Sequence, residues 1–344
     1  MKKLLALLMA LTLSASMVAC SSSNDTTTTQ AEATEPTQTE ETTPEVVEAE
    51  PITIKVGVPT APPALPVLRM MDSGVLGENV TIELEIWSEP ETLIAMVQDD
   101  SHDMFAFPLT VVSTLYNKGL DVRLMNVNTW GVTYFMTSDP DFTSWADLKG
   151  QTVYVPLQTS PPDALTQFFL DEAGLVVGED VEIVYATTAE VSAFLASGQA
   201  VYGTLIEPQV TIAMMKNADL YVAYSFEDEW QRANDTDTMV PNAGFGTTQS
   251  FIDENPELTA AFNEAYAEAA QWCLDNPEEI GALAEEYLGM PAAVITASLP
   301  NMGLEFKTPQ DADYELDMFY QMLFDFEPSM IGGALPDDGM YYAG

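Results

Sequence analysis

The chain has 344 residues, 47% of them hydrophobic, which is enough for two domains of ordinary size with a large buried core. Its 54 acidic residues against 10 basic ones give a net charge of −44. This balance excludes nucleic-acid binding, which needs a basic surface, and disfavours binding to anionic lipid. Solubility or adaptation to salt can explain the acidity. It also indicates a ligand that is not a strong anion, because few cations are available to meet one.

The first fifty residues have the layout of an export signal. Two lysines precede an apolar run over 4–13, and small residues lead to Cys20. This predicts a signal peptide over 1–19, a lipid on Cys20, and a disordered acidic tether within 20–50. The apolar run is shorter than the roughly 20 residues that a membrane-spanning helix needs. Plain secretion with removal of Cys20 is the alternative. We therefore expect an extracytoplasmic protein that is lipid-anchored to the cell membrane.

Strands alternate with helices over most of the remaining chain. Runs of β-branched and apolar residues predict strands at 52–58, 80–87, 104–107, 122–127, 131–137, 152–156, 181–185, 202–206 and 220–224. Caps and glycine stops predict helices that open at 67–71 and run over 88–99, 110–118, 144–150, 161–173 and 187–198. From residue 251 helices predominate, and the last covers 311–326. The alternation predicts an α/β fold with a mostly parallel sheet.

One pattern of elements occurs twice. Residues 91–108 read as helix, turn, short apolar strand and proline, and residues 190–208 repeat that order about 100 residues later. The likeness lies in the order of elements rather than in the residues themselves. It predicts two similar α/β lobes that face each other across a cleft.

The chain offers few residues for covalent or metal chemistry. Beyond Cys20 its one cysteine is Cys273, and its one histidine is His102. Cys273 lies at helical spacing with Phe262 and Tyr266, which indicates a core residue. A Cys–His pair or a histidine metal site would need the two single residues to meet. We therefore expect no catalytic residue, no metal and no cofactor.

Several stretches resemble one known family. The segment 144–153, SWADLKGQTV, looks like the opening of the second lobe in type II periplasmic solute-binding proteins. Further stretches are similar to the nitrate, sulfonate, taurine and thiamine-precursor branch of those proteins, namely 162–165, 173–175, 180–184, 198–199, 207–208 and 251–258. The likeness covers about residues 52–290.

The resemblance implies a two-lobed receptor that closes on a small solute and delivers it to an ABC permease and its ATPase. Lobe I would comprise 51–137 plus 241–344, and lobe II 138–240. The receptor would be a monomer that binds by lobe closure. Its ligand would be a small organic solute, either sulfonate-like or like a pyrimidine or another vitamin precursor. The shortage of basic residues relative to typical oxyanion binders favours a neutral or weakly charged one.

The predicted binding residues follow from topology, because ligands of open parallel sheets bind at the carboxyl ends of strands and the amino ends of helices. They are Thr60, Ala61, Trp87, Pro108, Leu109, Thr110, Gln158, Thr159, Ser160 and Asp163. Two further candidates are Glu207, which could face the cleft, and Asn242, which lies near the predicted hinge.

Each of the more informative positions has two interpretations. The loop 158–160 could hold a carboxylate, sulfonate or carbonyl with backbone N–H groups and hydroxyls, or Thr159 or Ser160 could simply cap a helix. Trp87 could stack on a ring of the ligand or belong to the core. Glu207 could meet an amine in the cleft or be a solvated loop charge, as we expect for the acidic run 227–229.

Two other functions remain open from the sequence. One is an enzyme on the same fold, because some relatives resemble enzymes of thiamine or menaquinone biosynthesis. The predicted export signal, and the lack of a recognisable nucleophile–base pair or phosphate loop, argue against it. The other is a sensor or adhesin that binds a solute without transporting it. A neighbouring permease gene would favour transport, and a neighbouring kinase or chemoreceptor gene would favour sensing.

Overall fold

The structure, a computed structural model, describes residues 50–344. The predicted signal peptide, Cys20 and nearly all of the tether lie outside the described residues. Within the part that is described, no helix combines the length and the apolar character needed to cross a membrane.

Twelve strands form two sheets in the described chain. Their bounds are β1 (Ile52–Pro59), β2 (Val80–Trp87), β3 (Met104–Pro108), β4 (Val122–Leu124), β5 (Val127–Trp130), β6 (Thr133–Thr137), β7 (Thr152–Pro156), β8 (Glu182–Ala186), β9 (Tyr202–Ile206), β10 (Tyr221–Ser225), β11 (Pro241–Thr248) and β12 (Leu304–Lys307). The seven-stranded sheet has the order β12-β5-β11-β3-β1-β2, with β4 also paired to β11. The five-stranded sheet has the order β10-β6-β9-β7-β8.

Helices connect and cover these strands. They are α1 (Ala64–Ser73), α2 (Pro90–Gln98), α3 (Leu109–Asn117), α4 (Pro161–Glu172), α5 (Thr188–Ser197), α6 (Gln209–Lys216), α7 (Phe226–Asn234), α8 (Gln249–Glu254), α9 (Pro256–Asp275), α10 (Pro277–Leu288), α11 (Ala292–Ser298) and α12 (Asp313–Phe326). Short 3₁₀ helices lie at Trp145–Leu148, Leu299–Asn301, Pro328–Ile331 and Asp338–Met340.

The two sheets repeat one arrangement of strands. In the first, β1 pairs in parallel with β2 and β3, and in the second, β7 pairs in parallel with β8 and β9. An antiparallel strand then adjoins each set, β11 beside β3 and β6 beside β9. The prediction of a two-lobed α/β fold is therefore confirmed, and the repeated order of elements in the sequence corresponds to a repeated βαβαβ unit. The predicted mostly parallel sheet is wrong, because both sheets are mixed and antiparallel pairings outnumber parallel ones.

Apolar faces of strands and helices build the core beside the first unit. Alternate residues of β1, such as Ile54 and Val56, are fully buried, and they pack in one cluster with Phe262 and Tyr266 of α9. The β-branched alternation thus turns one face of β1 toward the helical layer. Cys273 is also fully buried, and burial raises the pKa of its thiol to about 12. Its predicted place in the core is confirmed.

The chain passes between the sheets in two adjacent crossings, after β5 and before β11. Gly131 N donates to Val240 O at 2.9 Å, and Val240 N donates to Glu227 Oε2 at 2.9 Å. Gly131 has a φ of +53°, and a Cβ there would lie 2.6 Å from Glu227 Oε2. Only glycine therefore fits this crossing without strain.

The acidic run 227–229 is the predicted solvated face only at Asp228, which is exposed, whereas Glu227 is half-buried and Glu229 is buried. Glu229 is buried, accepts from Trp145 Nε1 at 2.8 Å and pairs with Arg232 at 3.0 Å. Glu227 lies against the crossing, where burial raises the pKa of its carboxyl group. Both carboxylates are thus parts of the packed structure, held by donors on other elements.

Some local predictions were wrong in detail. The spacing of Ser88 and Glu91 predicts a capping box at the start of α2. This box is absent, since Glu89 is the N-cap residue of α2 and its side chain makes no capping hydrogen bond. By contrast, the box between Thr187 and Glu190 is present at α5. The sequence analysis did not predict α6, α7, α11, β11 or β12. Helix α12 begins two residues later than predicted and ends where expected.

Candidate functional site

A cavity of about 170 Å³ lies where the carboxyl ends of the parallel strands meet. Each of the six parallel strands contributes its end or the residues just after it. The lining residues are Pro59, Thr60, Ala61, Pro62 and Pro63 after β1; Trp87 and Ser88 at β2; Ala106, Phe107 and Pro108 in β3; Leu157, Ser160, Pro161 and Pro162 after β7; Thr187, Thr188 and Ala189 after β8; Ile206 and Gln209 at β9; and Thr129, Val132 and Asn242 from the antiparallel strands and the crossing. This is where the topology of parallel sheets favours binding.

Six of the twelve predicted binding residues line this cavity. They are Thr60, Ala61, Trp87, Pro108, Ser160 and Asn242. The other six do not line it: Leu109 and Thr110 are buried in α3, Gln158 and Thr159 are exposed, and Asp163 and Glu207 are buried near the starts of α4 and α6. Trp87 is only 2% exposed, as a core residue is, and it also lines the cavity, so its stacking on a ligand stays a prediction.

Three buried polar atoms at the cavity have no hydrogen-bond partner. They are Trp87 Nε1, Ser160 Oγ and Asn242 Oδ1. The other end of the Asn242 amide is satisfied, since Nδ2 donates to Thr133 Oγ1 at 3.3 Å. The one other such atom in residues 50–344, Trp230 Nε1, does not line the cavity. An unpaired buried polar group costs roughly 1–3 kcal/mol, so a solute that reached any of these three atoms would recover that cost.

The loop between β7 and α4 holds two residues in the left-handed region, Leu157 at φ +53° and Thr159 at φ +68°. Asp163 fixes this loop, because its Oδ2 accepts from Thr159 N at 2.8 Å. Its Oδ1 accepts from Tyr185 Oη at 2.9 Å and Gln167 Nε2 at 2.8 Å. Burial raises the pKa of the Asp163 carboxyl group, although these three donors oppose the rise. Asp163 is thus a positioning residue behind the cavity wall.

Neither interpretation of the loop 158–160 survives in full. The first two residues of α4 are prolines, which carry no N–H, and Thr159 N already donates to Asp163. The expected cradle of free backbone N–H groups is therefore lacking in this described loop. The capping alternative is wrong too, since Ser160 is the N-cap residue but makes no side-chain capping hydrogen bond. What the loop offers the cavity is the Ser160 hydroxyl.

Glu207 is neither a ligand-facing carboxylate in this cavity nor a solvated loop charge. It is 2% exposed, and its carboxylate accepts from Thr211 N and Thr211 Oγ1, each at 3.0 Å. Burial raises the pKa of its carboxyl group, against the effect of these hydrogen bonds. Glu207 therefore accepts hydrogen bonds from the first turn of α6 instead of extending toward the cavity.

The sequence analysis missed several lining residues. Thr187, Thr188 and Gln209 follow β8 and β9, and the same carboxyl-end rule that selected the loop after β7 could have selected them. Ser88 stood at the predicted start of a helix, directly after β2, but was not chosen. Thr129 lies in antiparallel β5, and nothing in the sequence marks it. Among residues 50–344, no lining residue is Asp, Glu, Lys, Arg or His, and no cluster of such side chains is arranged to hold a metal ion.

Solved structures of the same architecture define the class of fold. An ABC transporter protein from Parabacteroides distasonis aligns with a TM-score of 0.71 at 20% identity, over 84% of this chain and 98% of that chain. The periplasmic aliphatic sulphonate binding protein SsuA from Escherichia coli aligns with a TM-score of 0.69 at 17% identity, over 84% and 91%. At these identities the likeness establishes the fold, which is that of type II periplasmic binding proteins.

The family follows from the sequence itself. A family model described as NMT1/THI5 like matches residues 77–280, which is more than half of the chain, and the chain belongs to this family. The predicted resemblance to the thiamine-precursor branch is thereby confirmed. The proposed binding protein YtlA of Bacillus subtilis (strain 168) is 24% identical over 135 residues, 39% of this chain and 38% of that protein. The match thus spans little more than a third of this curated relative.

Proposed function

We propose that this protein is the solute-binding component of an ABC importer and that it captures a small organic solute between its two lobes. The observation that carries the proposal is the set of three buried, unpaired polar atoms around one cavity, on Trp87, Ser160 and Asn242. Polar groups buried without partners are costly, and a ligand that meets them recovers that cost on binding. The lobe bounds of the sequence analysis, 51–137 plus 241–344 and 138–240, belong to this proposal.

The cavity lining supports binding rather than catalysis. Acid–base or nucleophilic chemistry needs titratable or nucleophilic side chains beside the substrate. In the described chain the lining contains serine and threonine hydroxyls but no histidine, cysteine, lysine or carboxylate that could activate them. The enzyme alternative therefore lacks a base at this cavity, and a receptor needs none.

The partners follow from this role. We propose that a lipid on Cys20 holds the chain at the outer face of the cell membrane and that the closed form docks on a permease with its ATPase. The acidic segment ahead of β1 would be the tether. A Cys20→Ala variant should then appear in the medium rather than the membrane fraction, and solute uptake should fall although binding by the purified chain is unchanged.

The direct test is a thermal-shift screen of the full chain, purified in mild detergent, against thiamine precursors, riboflavin, taurine, alkanesulfonates, nitrate and amino acids. A ligand that binds only the native state adds about 2.7 kcal/mol of stability at 100 times its Kd, which a melting curve resolves readily. Cooperative melting without a shift for any solute would contradict a solute receptor. Turnover of a solute that binds would favour the enzyme.

A pair of variants tests whether the cavity is the site. Ala61 lines the cavity, and Ala61→Phe should fill it and abolish the shift for every solute. The matched control is Ala193→Phe, at an exposed position of α5, which should keep the shift. A shift that persists in Ala61→Phe would place binding elsewhere.

A further inference from the structure

The amino ends of several helices point at the cavity, and such ends normally attract anions. Three of them are already occupied by the chain's own carboxylates. At α4, Asp163 accepts from Thr159 N at 2.8 Å, and at α6, Glu207 accepts from Thr211 N at 3.0 Å. At α5, Glu190 accepts from Thr187 N at 2.9 Å in the capping box. An anionic solute would meet helix ends whose favourable potential is largely cancelled.

Prolines remove many of the remaining donors. Six lining residues are prolines, and each lacks the N–H that an oxyanion would need. At α1, Ala64 N and Leu65 N donate back to the carbonyl groups of Ala61 and Pro62. The ends of α1 and α4 thus offer the cavity few backbone donors, and none of the described lining residues carries a positive charge.

No basic side chain supplies the positive charge that an anionic solute would need in this cavity. The basic residues of the body are eight, and none of them lines the cavity. Five of them are held by carboxylates elsewhere, for example Arg69 by Asp72 at 2.9 Å and Lys149 by Asp180 at 2.8 Å. A buried unpaired charge is strongly unfavourable, so a sulfonate or carboxylate would lose hydration here without gaining a counter-ion. A cationic solute would also lose hydration without gaining a counter-ion, because the lining contains no carboxylate.

The unpaired groups define what a ligand must carry. Trp87 Nε1 can only donate, Asn242 Oδ1 can only accept, and Ser160 Oγ can do either. A sulfonate offers acceptors alone and would leave Asn242 Oδ1 unpaired. We infer that the solute is an uncharged molecule, of the amide, imide or amino-heterocycle class, that presents an acceptor to Trp87 and an N–H or O–H donor to Asn242. The inference rests on the proposed function and narrows it.

Calorimetric titration of the full chain with matched probes tests the class. Uracil, cytosine, nicotinamide and benzamide are uncharged and carry a donor beside an acceptor. Their counterparts are 1,3-dimethyluracil and N,N-dimethylbenzamide, which lack the donor, and benzenesulfonate, nicotinate and propanesulfonate, which are anions. We expect the tightest binder to come from the first set, with an affinity that changes little between 50 and 500 mM salt. Loss of its donor by methylation should weaken it about tenfold.

Each unexpected outcome of the titration would overturn a different part of the proposal. Tightest binding by an anion would overturn the inference while leaving the receptor proposal intact. Equal binding of the methylated probes would overturn the assignment of the donor to Asn242. Absence of binding by every probe at 10 mM would count against both the inference and the proposed function.

Two tryptophan variants give a control within the chain. Trp87 and Trp230 are both buried with an unpaired Nε1, but only Trp87 lines the cavity. Trp87→Phe should weaken the best uncharged probe about three- to tenfold, the effect of one lost hydrogen bond. Trp230→Phe should change the affinity by less than twofold. Circular dichroism establishes that both variants are folded, and equal effects of the two changes would refute direct contact with Trp87.

Discussion

Thr110 Oγ1 donates to the carbonyl oxygen of Thr159 at 2.6 Å and so joins the two lobes directly. Thr110 is fully buried in α3, the helix that follows β3 of the seven-stranded sheet. Thr159 belongs to the loop after β7 of the five-stranded sheet, whose next residue, Ser160, lines the cavity. One short loop therefore both contacts the opposite lobe and contributes a lining residue to the cavity.

Loss of this contact should loosen the closed form. Thr110→Val keeps the shape of the side chain but removes the donor to Thr159. A typical hydrogen bond contributes about 0.5–1.5 kcal/mol, so solute affinity should fall about three- to tenfold, mainly through faster dissociation. Stopped-flow measurement of the dissociation rate checks this.

The control for Thr110→Val is on the same helix. Thr114 Oγ1 donates to Met330 O at 3.4 Å, a contact with the C-terminal segment rather than with the loop after β7. Thr114→Val should therefore leave the dissociation rate unchanged. If the two variants dissociate solute at the same rate, the contact between Thr110 and Thr159 does not govern release.

Cys273 should be inert to alkylation in the folded chain. It is fully buried, and burial raises the pKa of its thiol to about 12, whereas the thiolate is the reactive form. In a Cys20→Ser background, iodoacetamide at pH 8 should label the chain only as fast as it unfolds. Labelling should accelerate with urea in step with the loss of circular dichroism. Rapid labelling without denaturant would contradict the packing described for α9.

Much of the fold was readable from local sequence patterns. Thr152–Pro156 and Tyr202–Ile206 have the bounds that were predicted, because apolar residues, glycine and proline mark both strands. Helix α7, at Phe226–Asn234, was missed because its acidic first turn looks solvated. Glu229 is instead buried by Trp145, 84 residues away, and such a long-range contact leaves no local mark.

The candidate site was predictable to the extent that topology decides it. The carboxyl-end rule selects loops, and the loops that it selected after β1, β2, β3 and β7 all line the cavity. It does not say which side chain of a loop turns inward. Asp163 was predicted to bind the ligand. In the structure, however, its carboxylate accepts hydrogen bonds from Thr159 N and Tyr185 Oη. Thr129 was not predicted because it lines the cavity from an antiparallel strand, to which the carboxyl-end rule does not apply.

Gly131 at the crossing should tolerate no side chain. Gly131→Ala would place a Cβ 2.6 Å from Glu227 Oε2 in a backbone of φ +53°. Left-handed backbone costs a non-glycine residue about 1–2 kcal/mol and overpacking typically adds 1–3 kcal/mol. The free energy of unfolding should fall by about 2–5 kcal/mol, as measured by urea denaturation.

Gly174 provides a matched control for this change. It follows α4 with a φ of +75°, but no atom lies within 4 Å of the position that its Cβ would take. Gly174→Ala should therefore cost only the backbone contribution, about 1–2 kcal/mol. An equal loss of stability in both variants would mean that contact with Glu227 is unimportant at the crossing.

The stability of the fold should rise on mild acidification, partly because of Glu227. Burial raises the pKa of this carboxyl group above its ordinary value of 4.5 in the folded chain. The folded state then binds the proton more tightly than the unfolded state. The resulting stabilisation is full below the unfolded pKa and is lost as pH rises through the higher folded pKa. Urea denaturation from pH 7 down to pH 4.5 should show a shallower rise in stability for Glu227→Gln.

Glu190 should behave in the opposite sense, because its hydrogen bonds with Thr187 N and Oγ1 lower the pKa of its carboxyl group. Its contribution is present above the unfolded pKa and disappears as pH falls through the lower folded pKa. Glu190→Gln should therefore reduce stability at pH 7 and lose that effect as the pH falls below the ordinary pKa of 4.5 and through the lower folded pKa. Because the whole chain carries a net charge of −44, both variants remove one like charge from the same excess, and general repulsion affects them alike. A difference in sign between their pH profiles thus isolates the local environment of each carboxylate, and profiles of the same sign would show that repulsion alone sets the pH dependence.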